Sequence, residues 1–192
     1  MDQMHFRRNH LALAAACSLW ACAASAEVLR YEFTGTVDSS TYVAQPGEKV
    51  TGTFSFDTAT APVGTCFNNT CSYNDPNGTM TMLAGGHQMS ASGVGITVQN
   101  DQGIPGYEDI VRIGSFSPAV IDGTSYPVGF MTLWMVASKP QVLGSTDAPR
   151  DYQVHRFDMV REGGFSTGGV TLQDTLLHFQ LDGIKLLQPS QQ

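Results

Sequence analysis

Four groups of residues have the types and spacing for chemistry. Tyr152, His155, Arg156 and Asp158 bring together the phenol, imidazole, guanidinium and carboxylate that proton transfer uses, the set a glycan-directed hydrolase or lyase would need. On a strand, however, Tyr152, Arg156 and Asp158 share one face while His155 points to the other, so a half-exposed strand of mixed charge explains them equally well. Gly164-Phe165-Ser166-Thr167-Gly168 matches G-x-S-x-G, whose serine acts as a nucleophile only on a sharp strand-to-helix elbow. Here Gly169-Val170-Thr171-Leu172 reads as a strand, and the match is expected to be a Gly-rich turn. No catalytic residue is expected from either group.

Asp75-Pro76-Asn77-Gly78 offers hard oxygen ligands at Asp75 and Asn77, the kind Ca²⁺ takes. Calcium wants about 6 to 8 oxygens, and these residue types are also the ones a tight turn selects for backbone reasons, so a turn is the expected reading. Trp134 and Met131 lie in Phe130-Met131-Thr132-Leu133-Trp134-Met135-Val136, which is apolar on both faces. That pattern fits either a strand covered on both sides or a sheet face presenting Trp134 and Met131 to a sugar ring or a partner. Trp134 is the one tryptophan beyond residue 26.

The elements that position these residues read as strands. Leu29, Tyr31, Phe33, Gly35 and Val37 alternate with Arg30, Glu32, Thr34 and Thr36, and Val50, Gly52, Phe54 and Phe56 repeat the pattern, with Gln45-Pro46-Gly47 as the turn between. The signal returns at 79–83, 94–99, 109–114, 128–136, 153–160 and 170–187, each stretch bounded by Gly, Pro, Asn or Asp clusters such as 74–78, 101–106, 122–123 and 163–164. Charged residues make up only 14% of the chain, and helix periodicity is missing from it beyond residue 26, which rules against a helical fold. The spacing predicts an all-β, antiparallel β-sandwich, jelly-roll-like, in one domain over 27–192.

Residues 1–26 have the layout of a secretory signal: Arg7 and Arg8, an apolar run from Leu11 to Leu19, and Ala24-Ser25-Ala26 before Glu27. Leu19-Trp20-Ala21-Cys22 loosely follows a lipidation box, but Trp20 fits it poorly and cleavage after Ala26 is the expected route. Export places the chain in an oxidising compartment. There Cys66 and Cys71, spaced C-x4-C, are expected to form a disulfide rather than half of a zinc site. Removing Arg7, Arg8 and Asp2 from 10 basic and 17 acidic residues leaves 8 against 16, a formal charge of −8. So acidic a surface argues against nucleic acid and anionic membranes, and calcium is the cofactor it would least repel. No apolar run of about 18 residues follows the signal, so no helical transmembrane segment is expected in the mature chain.

Tyr31-Glu32-Phe33-Thr34-Gly35-Thr36-Val37, Gly52-Thr53-Phe54-Ser55-Phe56-Asp57-Thr58, Gly95-Ile96-Thr97-Val98-Gln99-Asn100 and the Leu-rich stretch from Leu176 to Leu187 together resemble the ectodomains of bacterial PEP-CTERM proteins. The resemblance implies a secreted β-sandwich in an envelope or matrix setting beside exopolysaccharide, without the C-terminal sorting tail. It carries over no functional residues. The expectation is a secreted, non-catalytic envelope or extracellular-matrix protein that binds glycan, such as a polysaccharide, or another envelope protein. The alternatives are a glycan-directed hydrolase or lyase and a purely structural surface protein.

Overall fold

The computed structural model describes residues 27–39, 41–105, 107–115, 118–167 and 175–187; the segment 1–26 expected to be a signal, with Cys22, and residues 168–172 of the Gly-rich match and the strand expected after it lie outside them. The described residues form ten strands: β1 (Val28–Val37), β2 (Lys49–Asp57), β3 (Thr70–Ala84), β4 (His87–Gln99), β5 (Asp109–Ser115), β6 (Ala119–Ile121), β7 (Thr124–Tyr126), β8 (Phe130–Ala137), β9 (Val160–Ser166) and β10 (Thr175–Leu187). A 3-10 turn at Val154–Arg156 is the helical element among the described residues.

All strand pairs are antiparallel, in the order β3-β2-β1-β10-β9-β8-β5-β4, and β4 pairs back onto β3. Eight strands therefore close into a barrel. β6 runs along the first half of β4 and returns as β7 through Asp122-Gly123, whose φ values of 46° and 85° suit a two-residue hairpin.

The expected jelly-roll sandwich is corrected by this pairing. A sandwich packs two sheets face to face, whereas here one sheet joins its own edges through β1 and β10, from Arg30↔Leu187 to Val37↔Phe179. Period-2 alternation reports which face of a strand is buried. It carries no information on which strand lies beside it, so sandwich and barrel look alike in it.

The inner face is apolar and filled. Tyr31, Phe33, Phe54, Phe165, Phe179 and five methionines (Met80, Met82, Met89, Met131 and Met135) are at most 1% exposed. An eight-stranded barrel leaves just enough interior for side chains to fill. Phe33 and Phe179 stack nearly parallel, centroids 6.2 Å apart, and they occupy space left by Gly35, Gly52 and Gly163, where any Cβ would run into one of the two rings. The outer face of β1 and β2 carries Arg30, Glu32, Thr34, Thr36, Lys49, Thr51 and Thr53. Apolar inside and polar outside is the reverse of a lipid-facing barrel. No described helix is long and apolar enough to cross a membrane.

Segment 138–159 folds over one mouth. Tyr152, Val154 and Phe157 are buried there, and the Tyr152 ring meets Tyr31 and Phe54 edge-on at 5.1 and 5.9 Å. Fully buried Asp109 anchors this segment, its carboxylate accepting the backbone N–H groups of Val142 (2.7 Å), Leu143 (2.8 Å) and Asp101 (2.8 Å), which offset its desolvation. Val43 and Ala44 are buried at the other mouth. Cys66 and Cys71 are joined as expected, beside the start of β3. The beginning of β1 and the end of β10 lie together at the mouth covered by 138–159, where Arg150 also pairs with Glu27 at 3.3 Å.

Two strand boundaries differ from the sequence reading. The 74–78 cluster is not a turn between strands but a bulge inside β3, three residues opposite one between the pairs Asp75↔Val94 and Thr79↔Ser92; the turn falls at Gly85-Gly86. The strand expected over 153–160 is loop and 3-10 turn, and β9 instead takes up Gly163 and Gly164, the residues read as a turn. Glycines are tolerated in β9 because the Phe179 ring fills the space over Gly163.

Candidate functional site

Alternation along β8 sends Met131, Leu133 and Met135 inward and Thr132 and Trp134 outward. The structure thus separates the two residues expected to present a binding face. Met131 is fully buried in the core, and Trp134 stands half-buried on the wall.

Barrel register sets the neighbours of Trp134. Thr97↔Arg112, Arg112↔Trp134, Trp134↔Glu162 and Glu162↔Gln180 are directly opposite pairs across β4, β5, β8, β9 and β10, so five polar or aromatic side chains line up as a ridge around the wall. Two residues along the strands, the pairs Gly95↔Gly114 and Gly114↔Thr132 put glycines in the adjacent row. Missing side chains beside a ridge make a trough. Its volume is about 350 Å³, with Gly95, Gly114 and Thr132 along the floor and Trp134, Arg112 and Asn74 along the sides.

The guanidinium carbon of Arg112 lies over the Trp134 ring, 5.3 Å from its centroid. Such stacking orients the guanidinium while leaving its in-plane N–H donors free. The Trp134 Nε1–H is buried and finds no acceptor among the described residues. Beyond Trp134, Glu162 Oε2 faces His178 Nε2 at 3.5 Å, and His178 Nδ1 meets Asp38 Oδ1 at 2.8 Å. Burial works against a charged imidazole at His178, but the Asp38 hydrogen bond and the charges of Asp38 and Glu162 outweigh it and raise its pKa. Asp38 shows the converse: partial burial raises its pKa, the His178 hydrogen bond overrides this, and the carboxyl is held below its usual value.

The other sequence candidates are not brought together. Tyr152 is buried, with its hydroxyl unpartnered among the described residues, and burial pushes its pKa well above the ordinary phenol value. His155 is exposed, Arg156 donates to the Gln141 carbonyl (2.8 Å), and Asp158 accepts from the Ser138 backbone N–H and hydroxyl (2.8 and 2.7 Å). These are tethers of segment 138–159. Ser166 lies at the end of β9, in a strand rather than on an elbow. Asp75 is buried and both its oxygens are engaged, Oδ2 by the Asp57 N–H (2.8 Å) and Oδ1 by the Asn77 N–H (2.9 Å), which holds the bulge. Asn77 itself is exposed. Among the described residues no group of three His, Cys, Asp or Glu is placed to hold a metal ion.

Sequence reasoning flagged Trp134 but missed Arg112, Glu162 and the glycine floor. Arg112 and Trp134 are 22 positions apart and meet only through the β5–β8 register. The usable signal was Gly95 and Gly114 at outward positions of otherwise regular strands. Compared with protein-family models, curated proteins and solved structures, the chain matches none.

Proposed function

We propose that this chain is an exported, non-catalytic envelope or matrix protein whose trough beside Trp134 binds glycan. The observation that carries the reading is the trough itself: an indole and a stacked guanidinium beside a glycine floor, with hydroxyl and amide groups around it. Flat apolar rings cover the C–H faces of sugars, and fixed N–H and O–H groups meet their hydroxyls. The clustering of Arg112, Trp134, Asn74 and Thr132 on one side of the wall supports binding over a purely structural surface. The scattering of Tyr152, His155, Arg156 and Asp158 favours it over hydrolysis or elimination. The envelope setting rests on the signal-like N-terminus and on the resemblance described for the strand motifs.

A glycan array probed with and without calcium, followed by calorimetric titration of any hit into the protein and its Trp134→Ala variant, tests this reading. Trp134→Ala should weaken binding at least about tenfold, as truncation of a central aromatic anchor does, while leaving the unfolding midpoint of this half-exposed site nearly unchanged. Silence across the array in both conditions, or a hit indifferent to Trp134→Ala, would assign the wall a structural role.

A further inference from the structure

The chemistry around the trough is one-sided. Although the chain has 17 acidic residues against 10 basic ones, the residues lining the trough include one cation, Arg112, and no carboxylate. Arg112 makes no ion pair or hydrogen bond with any described residue. Its position is held by the Trp134 ring, which leaves the donor fork unspent. Trp134 Nε1–H is buried, so the Arg112 fork is the charged donor a ligand in the trough meets. The nearest acid on the ridge, Glu162, sits on the far side of Trp134 and is turned to His178.

An unpaired guanidinium on the rim is best met by an acceptor that carries charge. Neutral sugar hydroxyls leave the cation without a counter-charge, whereas the planar pair of oxygens of a carboxylate matches the guanidinium fork. We infer that the trough is selective for acidic glycans, with the carboxylate of a uronic acid residue seated on the Arg112 fork and the sugar ring lying over Gly95 and Gly114. This deepens the glycan reading above and rests on it. Polarity along the ridge also orients the chain of sugars, carboxylate toward β5 and away from Glu162 on β9 and Asp38 just beyond β1.

The test uses the purified protein titrated with oligouronides of several parent sugars, with their methyl esters and with neutral oligosaccharides of the same length. Methyl esters keep the ring and remove the charge. The free acids should bind at least about tenfold more tightly than their esters, and added salt should narrow that gap, as it does for a charge-assisted contact near the surface. Arg112→Gln, at an exposed position, should abolish the preference, bringing the affinity for the free acid down to that for the ester. Equal affinity for acid and ester, or a preference that survives Arg112→Gln, overturns the carboxylate assignment and leaves the glycan reading standing. Failure of acids, esters and neutral oligosaccharides together overturns both.

Discussion

Phe179 depends on what its neighbours lack. Gly35 and Gly163 leave room for its ring on both flanking strands, and an added methyl at either would overlap it. Gly163→Ala should therefore lower stability by about 1–3 kcal/mol, the usual cost of overpacking a filled core. Phe179→Leu made in the Gly163→Ala background should cost less than it does alone, because the smaller side chain relieves the overlap; strictly additive free energies in urea unfolding would contradict the overlap account. The alternation of Phe33, Gly35 and Phe179 with polar residues was legible as one buried face. That these glycines hold two rings was not, because Gly163 and Phe179 meet only through the β9–β10 register. The site divides the same way. Trp134 stood out in the sequence by its rarity, whereas Arg112 is an ordinary outward residue until the β5–β8 register places it over the indole.

Strands β1, β2 and β5 were legible almost to the residue because each alternates cleanly and is bounded by turn residues, and β8 was legible as a continuous apolar run. β3 was cut short at the 74–78 cluster, since a turn and a bulge select the same Asp, Asn and Gly, and β4 was read only from Val94 onward. Segment 138–159 was misread from 153 onward because Tyr152, Val154 and Phe157 are apolar at spacings that a strand and a packed loop share. The segment brings its own pH dependence. Burial pushes the Tyr31 phenol up to about 12 and Tyr152 well above its ordinary value. Their folded-state values exceed those of the unfolded chain, so the contribution is intact below the ordinary phenol range and is lost as pH rises through it. Stability should fall above about pH 10, each tyrosine adding a slope of at most about 1.4 kcal/mol per pH unit. Urea unfolding of the protein and of Tyr152→Phe across that range checks this: the variant should lose stability less steeply, and parallel curves would show that Tyr152 ionises freely in the folded state.

At the scale of the molecule, the decisive event is closure. Within the barrel each strand pairs with those next to it in chain order, apart from the short β6–β7 excursion, and only β1 with β10 spans the whole chain. A pairing of such sequence separation carries a large loop-closure cost, which is why short-range patterns in the sequence did not reveal it. Closure also puts the first residues of β1 beside the last of β10. Seen as a piece of engineering, the barrel is a ring whose seam can be moved. A circular permutant that joins the two ends by a Gly/Ser linker of roughly six residues and opens at Gly85-Gly86, in the exposed turn at the opposite mouth, should unfold cooperatively and keep its Trp134 emission. Non-cooperative unfolding would show that the order of strand addition, and not only the final ring, is needed. By the same geometry, a surface or reporter fused at either end attaches at one rim, and the trough on the side wall stays open to a ligand approaching at right angles to the tether.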